Sequence, residues 1–475
     1  PTTLNSIGGT RQMPMSRKLL AKLAFLVLLD CAVSVGASDV VTVNTGTVVR
    51  TLSGNPIGIN FNYLRDDNHN RPEGTPTIQS VMKEMKIQWV RYPGGEKSDW
   101  TFFAKAPWEK ADTQVLAHYQ KFTKDILDFD EYIAYLREIG ARPLVVVPYE
   151  SQERSGLAKE VFLEHAVEWV RYANVKRGYG VTYWEIGNEN WHNKTGTAKE
   201  IGEVAKEFDA AMKAVDPTIQ VGCSVNSREW AKTILELAGS ELGFLSRSTY
   251  VGWKQGFDLY REAEEIVLDG QATEIVRTIA DSPHRDRIKL IVTEFNAVDF
   301  TKGWPWRGDL GHAIVAFDLT GQLLCNDGVT CAMQWATRWM DDTKAEEMWY
   351  ALGERNEILP PGRSLAIWGT FLKTEMVQTA GPNRSRTFAS FDPKTGELSV
   401  FIINKDAGKR TVDVVVKDAR SLGSADVYHF AGTGDADTNP TWSKVGTQAV
   451  SANTIKGVEL PGTSITVLDM SGSRP

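Results

Sequence analysis

Between about residue 55 and residue 375 the chain alternates short β-rich runs with longer stretches whose apolar residues recur at helical spacing. The β-rich runs are 57–61, 88–92, 143–149, 182–187, 220–225, 244–250, 289–294 and 330–336. Between them, Val161, Phe162, His165, Val167, Trp169, Val170 and Ala173 form a broad stripe along one helix face, which makes His165 a core residue rather than a ligand. The run Glu203 to Val215, with Phe208, Ala211, Met212 and Val215, follows the same period. Strands alternating with helices predict a parallel sheet, and eight is the number that closes a (β/α)8 TIM barrel. An open doubly wound sheet is the rival, but no glycine-rich phosphate fingerprint opens its first helix.

Near residue 376 the period changes. From there to residue 475 the pattern is one of short alternating strands, at 386–391, 398–404, 410–416, 425–430 and 464–468, with turn signals such as Asp392-Pro393-Lys394-Thr395-Gly396. This predicts an α/β protein whose barrel, residues 55–375, precedes a C-terminal all-β sandwich, residues 376–475. The early run 40–49, within residues 38–54, is expected to add a strand to that sandwich. Residues 1–37 read differently. Met13 or Met15 is followed by Arg17, Lys18 and Lys22, the apolar run Leu23–Leu29 and the small-residue site Val35-Gly36-Ala37, the order of a secretory signal peptide. The expectation is a secreted or periplasmic protein, with no membrane partner once this segment is removed.

Composition narrows the function. Over 475 residues the formal net charge is −7, which argues against a nucleic-acid partner, since that needs a basic patch. Fifteen tryptophans suit core packing and equally suit stacking on sugar rings. Beyond Cys31, in the leader, the cysteines are Cys223, Cys325 and Cys331; the last two flank an Asn-Asp-Gly turn, and a disulfide or two free thiols both fit. The seven histidines, His69, His118, His165, His192, His284, His312 and His429, include no closely spaced pair, so neither a metal nor another cofactor is expected.

The chemistry is read at the ends of two strands, because barrel active sites sit at the C-terminal ends. The fourth strand ends in Glu185-Ile186-Gly187-Asn188-Glu189, and the seventh in Val292-Thr293-Glu294. Glycoside hydrolysis with retention needs one protonated carboxyl for the leaving oxygen and one ionised carboxyl for the anomeric carbon. Strands four and seven lie on roughly opposite sides of an eight-stranded barrel, so Glu189 and Glu294 can flank one bond. Glu185, four residues earlier, is expected to make a buried hydrogen-bonded contact instead. A non-catalytic carbohydrate-binding protein would keep the tryptophans but needs neither glutamate.

Gly187-Asn188-Glu189 and Val292-Thr293-Glu294 resemble the acid/base and nucleophile signatures of clan A, the large clan of retaining (β/α)8 glycosidases. Arg91-Tyr92-Pro93-Gly94-Gly95, closing the second strand, is similar to a segment of glycoside hydrolase family 51, the α-L-arabinofuranosidase family. The resemblance implies Glu189 as acid/base and Glu294 as nucleophile. It implies that Asn188 binds the hydroxyl beside the anomeric carbon, that Arg91 lies near Glu294, that Tyr250 stands against the nucleophile, and that Trp335 is a stacking platform. His192 is expected to line the site. Two positions depart from the family: Asn62 stands where it places a sugar-binding glutamate, and Ser248-Thr249 where it places a histidine. Xylosides, glucans or uronides, the substrates of related families, therefore stay open beside arabinofuranosides.

Overall fold

A computed structural model describes residues 39–472, apart from 105–107, 109–111, 116, 123, 150–155, 193–195, 252–255, 301–302, 340–348 and 420–421. The leader segment and Cys31 lie outside the described residues. Eight strands close into a barrel in chain order: Ile57–Asn60, Trp89–Tyr92, Arg142–Val147, Tyr183–Ile186, Gln220–Ser224, Phe244–Tyr250, Lys289–Asn296 and Val329–Gln334. All pairs are parallel, and the last strand returns to the first through Ala332 opposite Ile57.

Helices on the outside shield the barrel, and their sequences say why they form. Thr197 and Glu200 make a reciprocal capping box that starts the helix Ala198–Val215, which buries Ile201, Val204, Ala205, Phe208 and Met212. The helix Lys159–Val170 buries Phe162, His165, Ala166, Trp169 and Val170. His165 Nε2 accepts a hydrogen bond from the Phe103 amide at 3.1 Å, and burial drives its pKa well down, so it is a neutral core histidine.

Inside the barrel the floor is apolar: Trp89, Leu144, Val146, Phe244, Ile291, Cys331 and Met333 pack together. Above this layer the inward positions turn polar. The change falls toward the strands' C-terminal ends, where ligands bind in this fold.

The second module is one nine-stranded sheet. Its spatial order is Thr441–Ala449, Leu422–Ala431, Ser464–Gly472, Leu398–Asn404, Ser385–Phe391, Glu375–Ala380, Asp39–Thr51, Arg410–Lys417 and Thr454–Leu460. The N-terminal strand does join it, antiparallel to Glu375–Ala380 and parallel to Arg410–Lys417. The two layers expected of a sandwich come from a single sheet folding over itself. His429 Nε2 reaches Glu459 O at 3.2 Å, and Asn404 Nδ2 donates to Pro461 O at 2.8 Å, linking strands far apart in the sheet order. A valine- and leucine-rich core fills the fold, with Val41, Val43, Val400, Val412, Val414, Ile455 and Leu468 buried. Cys223, Cys325 and Cys331 are free thiols, which settles the open pairing of the last two.

Candidate active site

Arg91 is the centre of the site. It is fully buried, and its guanidinium donates to four groups: Glu185 Oε2, Glu294 Oε1 and Asn188 Oδ1, each at 2.8 Å, and Asn60 Oδ1 at 3.2 Å. Burial works against its charge, but Glu185 and Glu294 outweigh that cost and raise its pKa. One rigid fork thus fixes groups from strands one, four and seven.

Local backbone geometry brings these side chains inward. On the seventh strand Ile291 pairs with Ser246 and Val292 with Arg247, but Glu294, not Thr293, pairs with Ser248. This bulge inserts one residue after Val292. Ile291 belongs to the apolar floor, so strict alternation would aim Thr293 inward; the extra residue aims Glu294 there instead. Following Arg91, the turn needs both glycines. A Cβ on Gly94 would lie 2.1 Å from Phe61 O, and one on Gly95 would lie 2.3 Å from Trp335 Cη2 and 3.1 Å from Glu294 Oε1. Both have positive φ, 104° and 54°.

The sixth strand serves three carboxyls from alternate residues. Ser246 Oγ donates to Glu185 Oε1 at 2.5 Å, Ser248 hydrogen-bonds Glu189, and Tyr250 donates its hydroxyl to Glu294 Oε2 at 2.6 Å. Period-two alternation places all three on one face.

The carboxyls have different surroundings. Glu185 is sealed in the barrel, and burial pushes its pKa up against the pull of Arg91 and Ser246. Glu189 lies just past the strand end with φ 46°. Burial first, and the charge of Glu294 second, push its pKa up to about 7; Ser248, Arg91 and Arg247 oppose the rise. Glu294 receives charge-assisted bonds from Arg91 and Tyr250.

The other expected site residues meet different partners. Asn62 is buried, but its Oδ1 accepts from the Leu64 amide at 3.3 Å and its Nδ2 donates to Arg338 O at 3.3 Å, so the side chain fastens its own turn. His192 is exposed, and its described hydrogen bond runs from its backbone amide to Glu189 O at 2.7 Å. Trp335 is at the site, yet its ring is covered by the ammonium of Lys97, 4.3 Å from the centroid. Asn188, Arg91 and Tyr250 converge on the glutamates. Reading motifs missed Asn60, Ser246, Ser248 and Lys97. Inward alternation from Tyr250 back along its strand points to the two serines; Lys97, in a turn after two glycines, carries no such signal. Among the described residues no group of three His, Cys, Asp or Glu side chains could hold a metal ion.

A closed eight-stranded barrel with an appended sheet, carrying glutamates at the ends of its fourth and seventh strands, has the architecture of the (β/α)8 glycoside hydrolases. Comparison with known proteins narrows that class. The family model described as the alpha-L-arabinofuranosidase 1 domain matches residues 81–238, which hold Arg91, Glu185 and Glu189. The "Intracellular exo-alpha-(1->5)-L-arabinofuranosidase" of Streptomyces lividans is 28% identical over 194 residues, covering 34% of this chain and 27% of that protein. The one of Acetivibrio thermocellus, of the same name, is 23% identical over 196 residues, covering 38% of this chain and 39% of that protein. In fold, the chain is similar to an α-L-arabinofuranosidase of Thermotoga maritima solved with arabinose, with TM-score 0.71, 19% identity, and coverage of 91% of this chain and 100% of that one. The chain is α-L-arabinofuranosidase-like, resembling glycoside hydrolase family 51, and spans 27% to 39% of the length of the two curated relatives. Their names correct one expectation. Both are named intracellular, which overturns the secreted or periplasmic location read from the N-terminal segment and withdraws the signal-peptide reading.

Proposed function

We propose that the protein is a retaining glycoside hydrolase acting on carbohydrate, with Glu189 as general acid/base and Glu294 as nucleophile. The observation that carries this reading is the contrast between the two carboxyls: Glu189 is half-protonated near neutral pH, while Glu294 is met by two donors. In the first step Glu294 attacks the anomeric carbon as the glycosidic C–O bond breaks, and Glu189 gives its proton to the leaving oxygen. In the second, Glu189 takes a proton from water, whose oxygen displaces Glu294 from the anomeric carbon. Two inversions give net retention.

Around this pair, Asn188 spends its Oδ1 on Arg91, so its amide NH2 is the part that meets the neighbouring sugar hydroxyl. Arg91 and Tyr250 orient Glu294 for attack. The names of the relatives put α-L-arabinofuranosides first among glycones to be tried. The test is a panel of aryl arabinofuranosides, xylosides, glucosides and uronides, with the anomer of the first-formed product read by NMR. Retained configuration is expected; an inverted product, or no turnover of any substrate by the wild type, would overturn the reading.

A further inference from the structure

Lys97 is a buried cation with no described carboxylate in contact. Its side chain is 2% exposed, and among the described residues no hydrogen-bond acceptor or ion-pair partner meets its ammonium. The groups it does meet are rings, Trp335 at 4.3 Å and Trp339 at 5.6 Å. Burial lowers its pKa to about 8, with Glu294, Asp66 and Glu96 resisting and Arg91 assisting, so the ammonium is still charged at neutral pH. A buried ammonium without an anionic acceptor is costly, and cation–π contact recovers only part of that cost.

The carboxylates around it are engaged elsewhere or exposed. Asp66 is taken up by Arg338, at 2.8 Å. Around the two catalytic candidates, Arg91, Lys97 and Arg247 are buried basic side chains, Glu185 and Glu294 are buried carboxyls, and Glu189 is half-buried. The remaining carboxylates that act on these cations, Glu96 and Glu274, are exposed and screened by solvent. Arg91 is met by two carboxylates and Arg247 donates to Val225 O and Gln271 Oε1, while the ammonium of Lys97 has no described acceptor. The ring beneath it is placed to matter: Trp335 Cη2 crowds Gly95, which also borders Glu294 Oε1. An indole capped by an ammonium offers a ligand a charged surface rather than a bare stacking face.

We infer that Lys97, seated on Trp335 and Trp339 beside Glu294, is a specificity-determining residue that binds the carboxylate of a uronic-acid unit in the substrate. The inference rests on the glycosidase reading and names its substrate class more narrowly than the relatives' names do. A uronate carboxylate gives the ammonium its missing acceptor.

Two measurements test it. Calorimetry on the wild type with D-glucuronate and D-galacturonate, against D-glucose and D-galactose, needs no turnover. The uronates are expected to bind about ten- to hundredfold more tightly, the range of one charge-assisted hydrogen bond. Lys97→Met, close to isosteric, should collapse that preference to less than about threefold while circular dichroism shows a folded chain. In the aryl panel, kcat/KM for a glucuronide should exceed that for its methyl ester by a similar factor, and the ratio should fall in Lys97→Met. Equal binding of acids and neutral sugars by the wild type overturns the inference, as does a preference that survives Lys97→Met. Failure of the glycosidase reading looks different: a folded Glu294→Gly variant would keep its hydrolysis, while the calorimetric preference would stand or fall separately.

Discussion

The ends of the fourth and seventh barrel strands carry the same side chain in opposite settings. At the seventh, a bulge turns Glu294 onto two strong donors, Arg91 and Tyr250. At the fourth, Glu189 sits past the strand in a left-handed conformation, where burial and the charge of Glu294 push its pKa up to about 7 and Ser248 is its side-chain hydrogen bond. Two chemically identical carboxyls are separated by environment into one that can attack and one that can hold and release a proton. A third, Glu185, shows what the same side chain does four residues earlier, inside the strand. Sealed between Arg91 and Ser246, it anchors the guanidinium rather than reaching a substrate.

The sharpest way to break the comparison is to remove each carboxyl in turn. Glu294→Gly should abolish turnover, by on the order of 10^4- to 10^6-fold, because no glycosyl-enzyme can form. Azide should fill the vacated space and restore activity with an inverted product. Glu189→Ala should cost less, on the order of 10^2- to 10^4-fold, and least with good leaving groups that need no proton. There azide should give a retained product, attacking from the acid/base side after the covalent intermediate has formed. NMR of the two azides separates the roles, and swapped configurations would reverse the assignment.

Arg91 joins the two strand ends, so its loss should damage both fold and activity. Arg91→Met leaves Glu185 buried without its cation, and breaking a buried pair in this way costs about 3–5 kcal/mol. Thermal unfolding should show a large drop in Tm alongside lost turnover. If Tm is unchanged, the guanidinium is not holding Glu185, and the shared-anchor account of the site fails.

Much of this was legible in the sequence because it depends on local periodicity. All eight barrel strands stand within a few residues of the expected runs, since each is a short β-rich segment set between amphipathic helices. In the sheet module, Glu375–Ala380, Thr441–Ala449 and Thr454–Leu460 escaped. Thr441–Ala449 is largely exposed and lies at the sheet's edge, so burial imposes no alternation on it. Within the candidate site, motifs pointed to Glu189, Glu294, Arg91, Asn188 and Tyr250, which lie together in the structure. Asn62 and His192 show no described side-chain contact with the two glutamates, because a residue's place after a strand does not reveal where its side chain points. Asn62 turned back to cap its own loop, an option open to any short polar side chain in a turn. Lys97 was invisible for the opposite reason: a lysine beside a glutamate in a polar turn looks like solvated surface until the fold lays two tryptophans against it.

The finest test uses the two serines of the sixth strand, which stand two residues apart and touch different carboxyls. Ser248 hydrogen-bonds Glu189 in a way that favours its ionised form and so lowers its pKa. Glu189 must be protonated for the first step, so kcat/KM should fall as pH rises through about 7. In Ser248→Ala the ionised form loses support, the pKa rises further, and the alkaline limb of kcat/KM should move to higher pH. Ser246→Ala acts one layer below. It strips a donor from the buried Glu185, which should appear as about 1–3 kcal/mol of lost stability, with the limb kept where the wild type has it. The pair therefore reads the division between anchor and acid/base on a single strand face. Should Ser246→Ala move the limb, or Ser248→Ala move it to lower pH, Glu189 is not the group that the profile reports.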